Sequence, residues 1–196
     1  MSSPNSDAAR APRKPYALWL ILAICAAPVI ASYVAYYMWQ PSGHVNYGEL
    51  LEPRALPDSA LERLEGGAFR FAALKTNWVL LSVDDAACDE RCRSKLVYMR
   101  QLRLAQGRDI ARVQLVWIVM NNGKPEARLL EQHPDLQVVR ARTNETLEAL
   151  PAPASPNPHI YVIDPLGNLM MRFPADPDPR RMLKDLSRLL RHSKWK

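Results

Sequence analysis

Residues 78–107 read WVLLSVDDAACDERCRSKLVYMRQLRLAQG, an apolar run, a polar two-cysteine break and a periodic segment in succession. Trp78–Val83 is an uninterrupted apolar run, as expected of a central strand buried on both faces. Asp84-Asp85 breaks it, Cys88 follows, and from Arg91 to Gln106 apolar residues recur at 92, 96, 99 and 102, the spacing of a helix with one buried face. Gly107 is the stop. Two cysteines four residues apart, Cys88 and Cys92, therefore stand where a buried strand turns into a helix.

On the N-terminal side, Ala68–Leu74 reads as an outer strand or hairpin set off by a Lys-Thr-Asn turn, and Asp58–Glu65 as a short helix capped by Asp58 and stopped by Gly66-Gly67. Ala111–Met120 is a second buried strand, Pro125–His133 a helix, Leu136–Ala141 a third strand and Asn144–Leu150 a short helix. After the proline-rich turn 151–158, His159–Asp164 and Leu169–Phe173 form a hairpin about Pro165-Leu166-Gly167-Asn168. A closing helix, Pro179–His192, has the apolar face Met182, Leu183, Leu186, Leu189 and Leu190. Strands alternating with helices and ending in a hairpin and a helix define an α/β domain with a central mixed sheet.

Upstream, Tyr16–Trp39 is free of charge and at about 1.5 Å per residue spans about 36 Å, enough to cross a bilayer. Aromatic residues gather at both ends, and the run is too long and too bulky at its exit for a cleaved signal peptide. Arg10, Arg13 and Lys14 precede it and no base follows before Arg54, which predicts a cytoplasmic N-terminus and a periplasmic remainder in the inner membrane. The expected organisation is a cytoplasmic tail (1–15), a transmembrane helix (16–39), a tether (40–57) and a periplasmic domain (58–196).

Composition narrows the chemistry. The 196 residues include only seven glycines, with no glycine-rich phosphate cradle, which argues against a nucleotide-binding loop. The net charge of +6 is spread over interleaved acids and bases with no aromatic residues among a basic run, so nucleic acid is not an expected partner. Three cysteines are too few for a disulfide-dense scaffold or a four-cysteine zinc site. Cys25 falls within the span and reads as a small apolar residue.

In an oxidising compartment Cys88 and Cys92 are a structural bridge, a redox dithiol or a metal site. A helix N-terminus favours a thiolate, and Arg91, Arg93 and Lys95 add positive charge against Asp85, Asp89 and Glu90. With three residues between them, the two sulfurs can lie on one face one helical turn apart, near the upper range for a disulfide and convenient for two thiolates on one soft metal ion such as Cu(I). Of the four histidines, His159 is the candidate ligand; His44, His133 and His192 read as solvated or structural, and Met170 and Met171 as core filling.

The element order, the cysteine pair after the first central strand, and the segment Asn157-Pro158-His159-Ile160-Tyr161-Val162-Ile163-Asp164-Pro165-Leu166-Gly167 resemble the thioredoxin superfamily. There a cis proline just before the penultimate strand faces the cysteine motif, and Pro158 is the matching position. Within the superfamily, the C-x-x-x-C spacing, single anchor and I-Y-V-I-D-P-x-G hairpin look most like the Sco/SenC family, over about residues 66–192. That resemblance implies copper binding by Cys88 and Cys92, assembly of the copper centre of cytochrome c oxidase, and oxidase subunits or assembly factors as partners. Cys88 would be the attacking thiol and Cys92 the resolving one. The family's histidine ligand falls where this chain has Pro156, with His159 nearest, and the proline after the second cysteine is replaced by Arg93. The alternatives are a thiol–disulfide oxidoreductase without a metal and a thioredoxin-like scaffold.

Overall fold

The computed structural model describes residues 16–38, 46–57, 61–141, 145–152 and 155–193, so the N-terminal tail expectation lies outside the described residues. The chain divides at residue 44 into two units. The first carries helix α1 (Tyr16–Met38), a 23-residue helix with no buried residue, mean hydropathy 2.2 and one internal proline, Pro28. It is long and apolar enough to cross a membrane.

The second unit is a single eight-stranded sheet with helices on it. Its elements are β1 (Glu49–Ala55), β2 (Leu61–Arg63), β3 (Ala68–Phe69), β4 (Trp78–Asp84), α2 (Glu90–Leu104), β5 (Val113–Val119), α3 (Ala127–Gln132), β6 (Leu136–Ala141), α4 (Glu145–Glu148), β7 (Ile160–Ile163), β8 (Asn168–Arg172) and α5 (Pro179–His192). The strand order is β1-β8-β7-β4-β5-β6-β2-β3. β4, β5 and β6 run parallel, as their intervening helices require, and the other pairings are antiparallel. The central strand β4 is buried at every position, and its alternation feeds two cores. Trp78 and Leu80 face Leu96 and Met99 of α2, Trp117 of β5, and Met182 and Leu186 of α5. Val79, Leu81 and Val83 face the opposite side with Phe69, Ile118, Tyr161 and Leu150.

Three expectations are corrected. The tether does not extend to residue 57: residues 49–55 form β1, an edge strand on β8. Pro53 hides this strand from a sequence reading, yet it sits where the register with β8 shifts, between Leu50 and Arg54, one of the few strand positions that tolerate a missing N–H. Within the segment expected to be a helix, residues 61–63 are β2, because Leu61 is buried and pairs with Ala141 and Phe69, while residues 58–60 lie outside the described set. Gly66 and Gly67, read as a helix stop, instead turn the β2–β3 hairpin with φ of +94° and +97°, values open to glycine. The expected outer strand 68–74 shortens to β3 and a 3-10 turn, Phe71–Leu74.

A buried carboxylate ties the start of this unit to its last helix. Asp185 on α5 accepts hydrogen bonds from the backbone amides of Tyr47 (2.6 Å) and Gly48 (2.9 Å). Gly48 is needed there because a Cβ would lie 2.6 Å from Met171 Sδ. Asp185→Ala would strand both amides, and urea unfolding of the full chain in detergent is expected to show a loss of about 3 kcal/mol.

Candidate functional site

β4 ends at Asp84, and the chain turns through residues 85–89 before α2 begins at Glu90. Cys88 occupies the turn with φ of +32°, a left-handed conformation that costs an L-residue about 1–2 kcal/mol. Asp89 caps the helix, its Oδ1 accepting from Cys92 N at 2.8 Å. Cys88 therefore stands ahead of the helix and Cys92 within its first turn. This overturns the one-turn separation assumed from spacing: the Cα atoms are 5.1 Å apart, well inside the disulfide range, and the two cysteines are disulfide-bonded. It also changes the electrostatics, since Asp89 already uses the Cys92 amide that a thiolate at the helix N-terminus would otherwise attract. Arg93, standing where the resembled family has proline, donates from Nε to the Cys88 carbonyl at 3.2 Å and pairs with Glu126 at 2.9 Å, so it holds the turn.

Cys88 and Cys92 line a cavity of about 370 Å³ together with Asp84, Asp85, Asp89 and Arg91 from the segment joining β4 to α2 and Ser155, Asn157 and Pro158 from the loop before β7. Both cysteines are nearly buried, Cys88 at 4 % exposure and Cys92 at 1 %. Pro158 faces the pair, as the resemblance implies, but its peptide bond is trans: no cis bond occurs among the described residues. The turn at Pro156-Asn157, closed by His159 N donating to the Pro156 carbonyl at 3.2 Å, delivers the chain into β7 with the isomer that X-Pro bonds ordinarily prefer.

His159 does not join the cysteines. It is not among the residues that line the cavity, its Nδ1 lies 2.8 Å from the carbonyl oxygen of Phe173, and its ring packs edge-on against Tyr161. Burial, reinforced by Arg172 and Lys95 and opposed by the Phe173 carbonyl, holds its pKa below the ordinary histidine value. Among the described residues no three His, Cys, Asp or Glu side chains converge as a metal site. His133 caps the end of α3, His192 ends α5, Met171 fills the core, and His44 lies outside the described residues.

A sequence reading misses the buried charged pair beside the cavity, whose Asp84 is one of the lining residues. Asp84 at the end of β4 and Lys95 on α2 form a salt bridge of 2.7 Å, with Lys95 1 % exposed. Ser82 Oγ donates to the same Asp84 oxygen at 2.8 Å. Lys95 Nζ also donates to the carbonyls of Asn157 and, at 3.5 Å, Val83. Burial pushes the Asp84 carboxyl up, with Lys95 pulling it back, and burial pulls the Lys95 ammonium down, with Asp84 opposing. The signal was present: Lys95 falls three residues after Cys92 on the face that carries Leu96, Met99 and Leu102.

A thioredoxin-like sheet with a two-cysteine turn at the start of its first main helix, faced by a proline loop, is the class these features define. The family model for the transmembrane-like, thioredoxin-like C-terminal domain matches residues 78–193, and the chain belongs to that family. No curated protein sequence matches. Among solved structures, yeast Sco1 with copper bound aligns with a TM-score of 0.61 at 14 % identity over 73 % of this chain and 96 % of its own. Apo Sco1 from Thermus thermophilus aligns at 0.58, with 20 % identity over 76 % and 99 %. The thioredoxin domain of a thiol-disulfide oxidoreductase from Bacteroides vulgatus aligns at 0.52, with 16 % identity over 73 % and 97 %. At these identities the likeness establishes the shared thioredoxin-like fold.

Proposed function

We propose that the chain is a membrane-anchored, Sco-like redox protein whose Cys88–Cys92 pair exchanges electrons with cysteines of a partner protein. The observation that carries this reading is the disulfide lining a cavity that Pro158 also lines. By the positive-inside rule Arg10, Arg13 and Lys14 keep the N-terminus cytoplasmic, so the domain works in the periplasm, where thiols are oxidised. By analogy with the resembled family, the partners are cytochrome c oxidase subunits or their assembly factors, and the task is to keep copper-centre cysteines reduced. In cells, Cys88→Ser with Cys92→Ser is then expected to lose oxidase copper-centre absorbance; unchanged absorbance would reject the oxidase role.

Copper is a cargo under the second reading, which the copper-bound Sco1 neighbour favours. Reduced Cys88 and Cys92 offer two thiolates, a donor set suited to Cu(I), whereas Cu(II) wants an imidazole that His159 does not bring to the pair. Anaerobic titration of the reduced chain is expected to give no more than one Cu(I) per chain, with affinity unchanged in His159→Ala. A tenfold weakening in His159→Ala would restore a three-donor copper site.

A further inference from the structure

Ser155, Asn157 and Pro158 form the wall that the loop before β7 contributes to the cavity shared with Cys88 and Cys92, and something must hold that wall in place. Asn157 is turned so that its carbonyl points back to α2, where Lys95 Nζ donates to it. Lys95 is itself held by Asp84, and Asp84 by Ser82. Among the described residues the wall's other bonds are internal: Ser155 Oγ accepts from Asn157 N at 3.3 Å and donates to Asn157 Oδ1 at 2.9 Å, and His159 N donates to the Pro156 carbonyl. A buried ammonium thus joins the end of β4 and the cysteine-bearing helix to the segment that a partner must meet.

We propose that Lys95 is a positioning residue for partner engagement: its ammonium, anchored by Asp84, fixes the Ser155–Pro158 wall relative to the cysteine-bearing helix so that a cysteine-bearing polypeptide segment can be seated in the cavity. This rests on the exchange reading above. The partner is a peptide dithiol, and the step balances within it. One peptide thiolate attacks the Cys88 sulfur, the Cys88–Cys92 bond breaks, and Cys92 leaves as a thiolate. The second peptide thiolate attacks the mixed disulfide at the peptide's own sulfur, releasing Cys88. The peptide leaves oxidised, and the two electrons and two protons it gave up reside on Cys88 and Cys92; the same steps run in reverse pass them to a partner disulfide, which is the direction that keeps copper-centre cysteines reduced. A small thiol such as glutathione reaches the disulfide without spanning the wall, so it is indifferent to where the wall stands.

The charged groups around Lys95 are Asp84 on β4, Asp89 and Arg91 at the start of α2, and His159 at the start of β7. Removing Lys95 alone would leave Asp84 without its cation, and removing Asp84 alone would leave the buried ammonium without its anchor, so the comparison is between wild type and Asp84→Asn with Lys95→Met, which removes both charges together. The full chain in detergent is reduced by glutathione and, separately, by a synthetic 16-residue peptide carrying two cysteines. The quantity read is the ratio of the two second-order rate constants. It is expected to fall about tenfold in the double variant, with the loss carried by the peptide rate constant while the glutathione rate constant stays within twofold of wild type. Lys95→Gln in the same background replaces the methionine variant if that chain does not fold. A ratio unchanged within twofold would overturn the proposal for Lys95 and leave the exchange reading standing. Wild-type chain inert to both reductants would overturn the exchange reading itself.

Discussion

Cys88→Ser with Cys92→Ser is expected to abolish disulfide exchange completely while leaving the domain folded. The pair closes a loop of only five residues, so in the chain-entropy picture its loss costs about 2 kcal/mol. That is a small fraction of what a two-sided core built on β4 and β5 supplies, and neither strand depends on the bridge for its pairing. The left-handed Cys88 conformation and the Arg93 bond to its carbonyl also persist or relax locally without the bond. Circular dichroism of the double variant should match wild type, its urea midpoint should fall modestly, and turnover of any thiol substrate should vanish. A double variant that unfolds outright would mean the bridge is structural.

Lys95→Met alone is expected to lower stability by about 3–5 kcal/mol, because it leaves the buried Asp84 carboxylate with Ser82 Oγ and no cation. The loss depends on pH, and its sign follows from Asp84. Burial already raises that carboxyl in wild type, and Lys95 restrains the rise. Without Lys95 the folded-state value climbs further above the unfolded one, so folding takes up a proton that the unfolded chain does not hold. The contribution from a protonated Asp84 is present at acid pH and is lost as pH rises through the folded value. Lys95→Met should therefore look nearest to wild type near pH 5 and worst at pH 8, read as urea midpoints across that range. A pH-independent deficit would mean that packing, not charge, sets it.

The architecture was legible where periodicity and burial agree. Trp78–Val83, Arg91–Gln106, Leu136–Ala141 and the closing helix all announce themselves by apolar spacing, and each forms as expected. β1 and β2 were not legible, because what makes them strands is the partner: Glu49–Ala55 has a proline and no alternation until β8 supplies a ladder, and Leu61–Arg63 is too short to show a period. At the site, Cys88, Cys92 and Pro158 follow from the motif, but their distances do not. A left-handed residue before the helix cap shortens the cysteine separation below any helical estimate. His159 was the nearest histidine along the chain, yet its ring turns to the Phe173 carbonyl. The Asp84–Lys95 pair could be suspected from a lysine on an apolar helix face, but its bond to Asn157 depends on a loop 62 residues away.

The proposed exchange requires Cys88–Cys92 to be a reversible couple, which is tested by equilibrating the full chain in detergent with glutathione buffers of graded potential and counting free thiols on Cys88 and Cys92 by mass after alkylation. A reversible two-electron transition with a midpoint inside the range the buffers span, the same approached from either side, is the predicted result. A bridge that stays oxidised at every potential, or reduces only after the domain has unfolded, would contradict it.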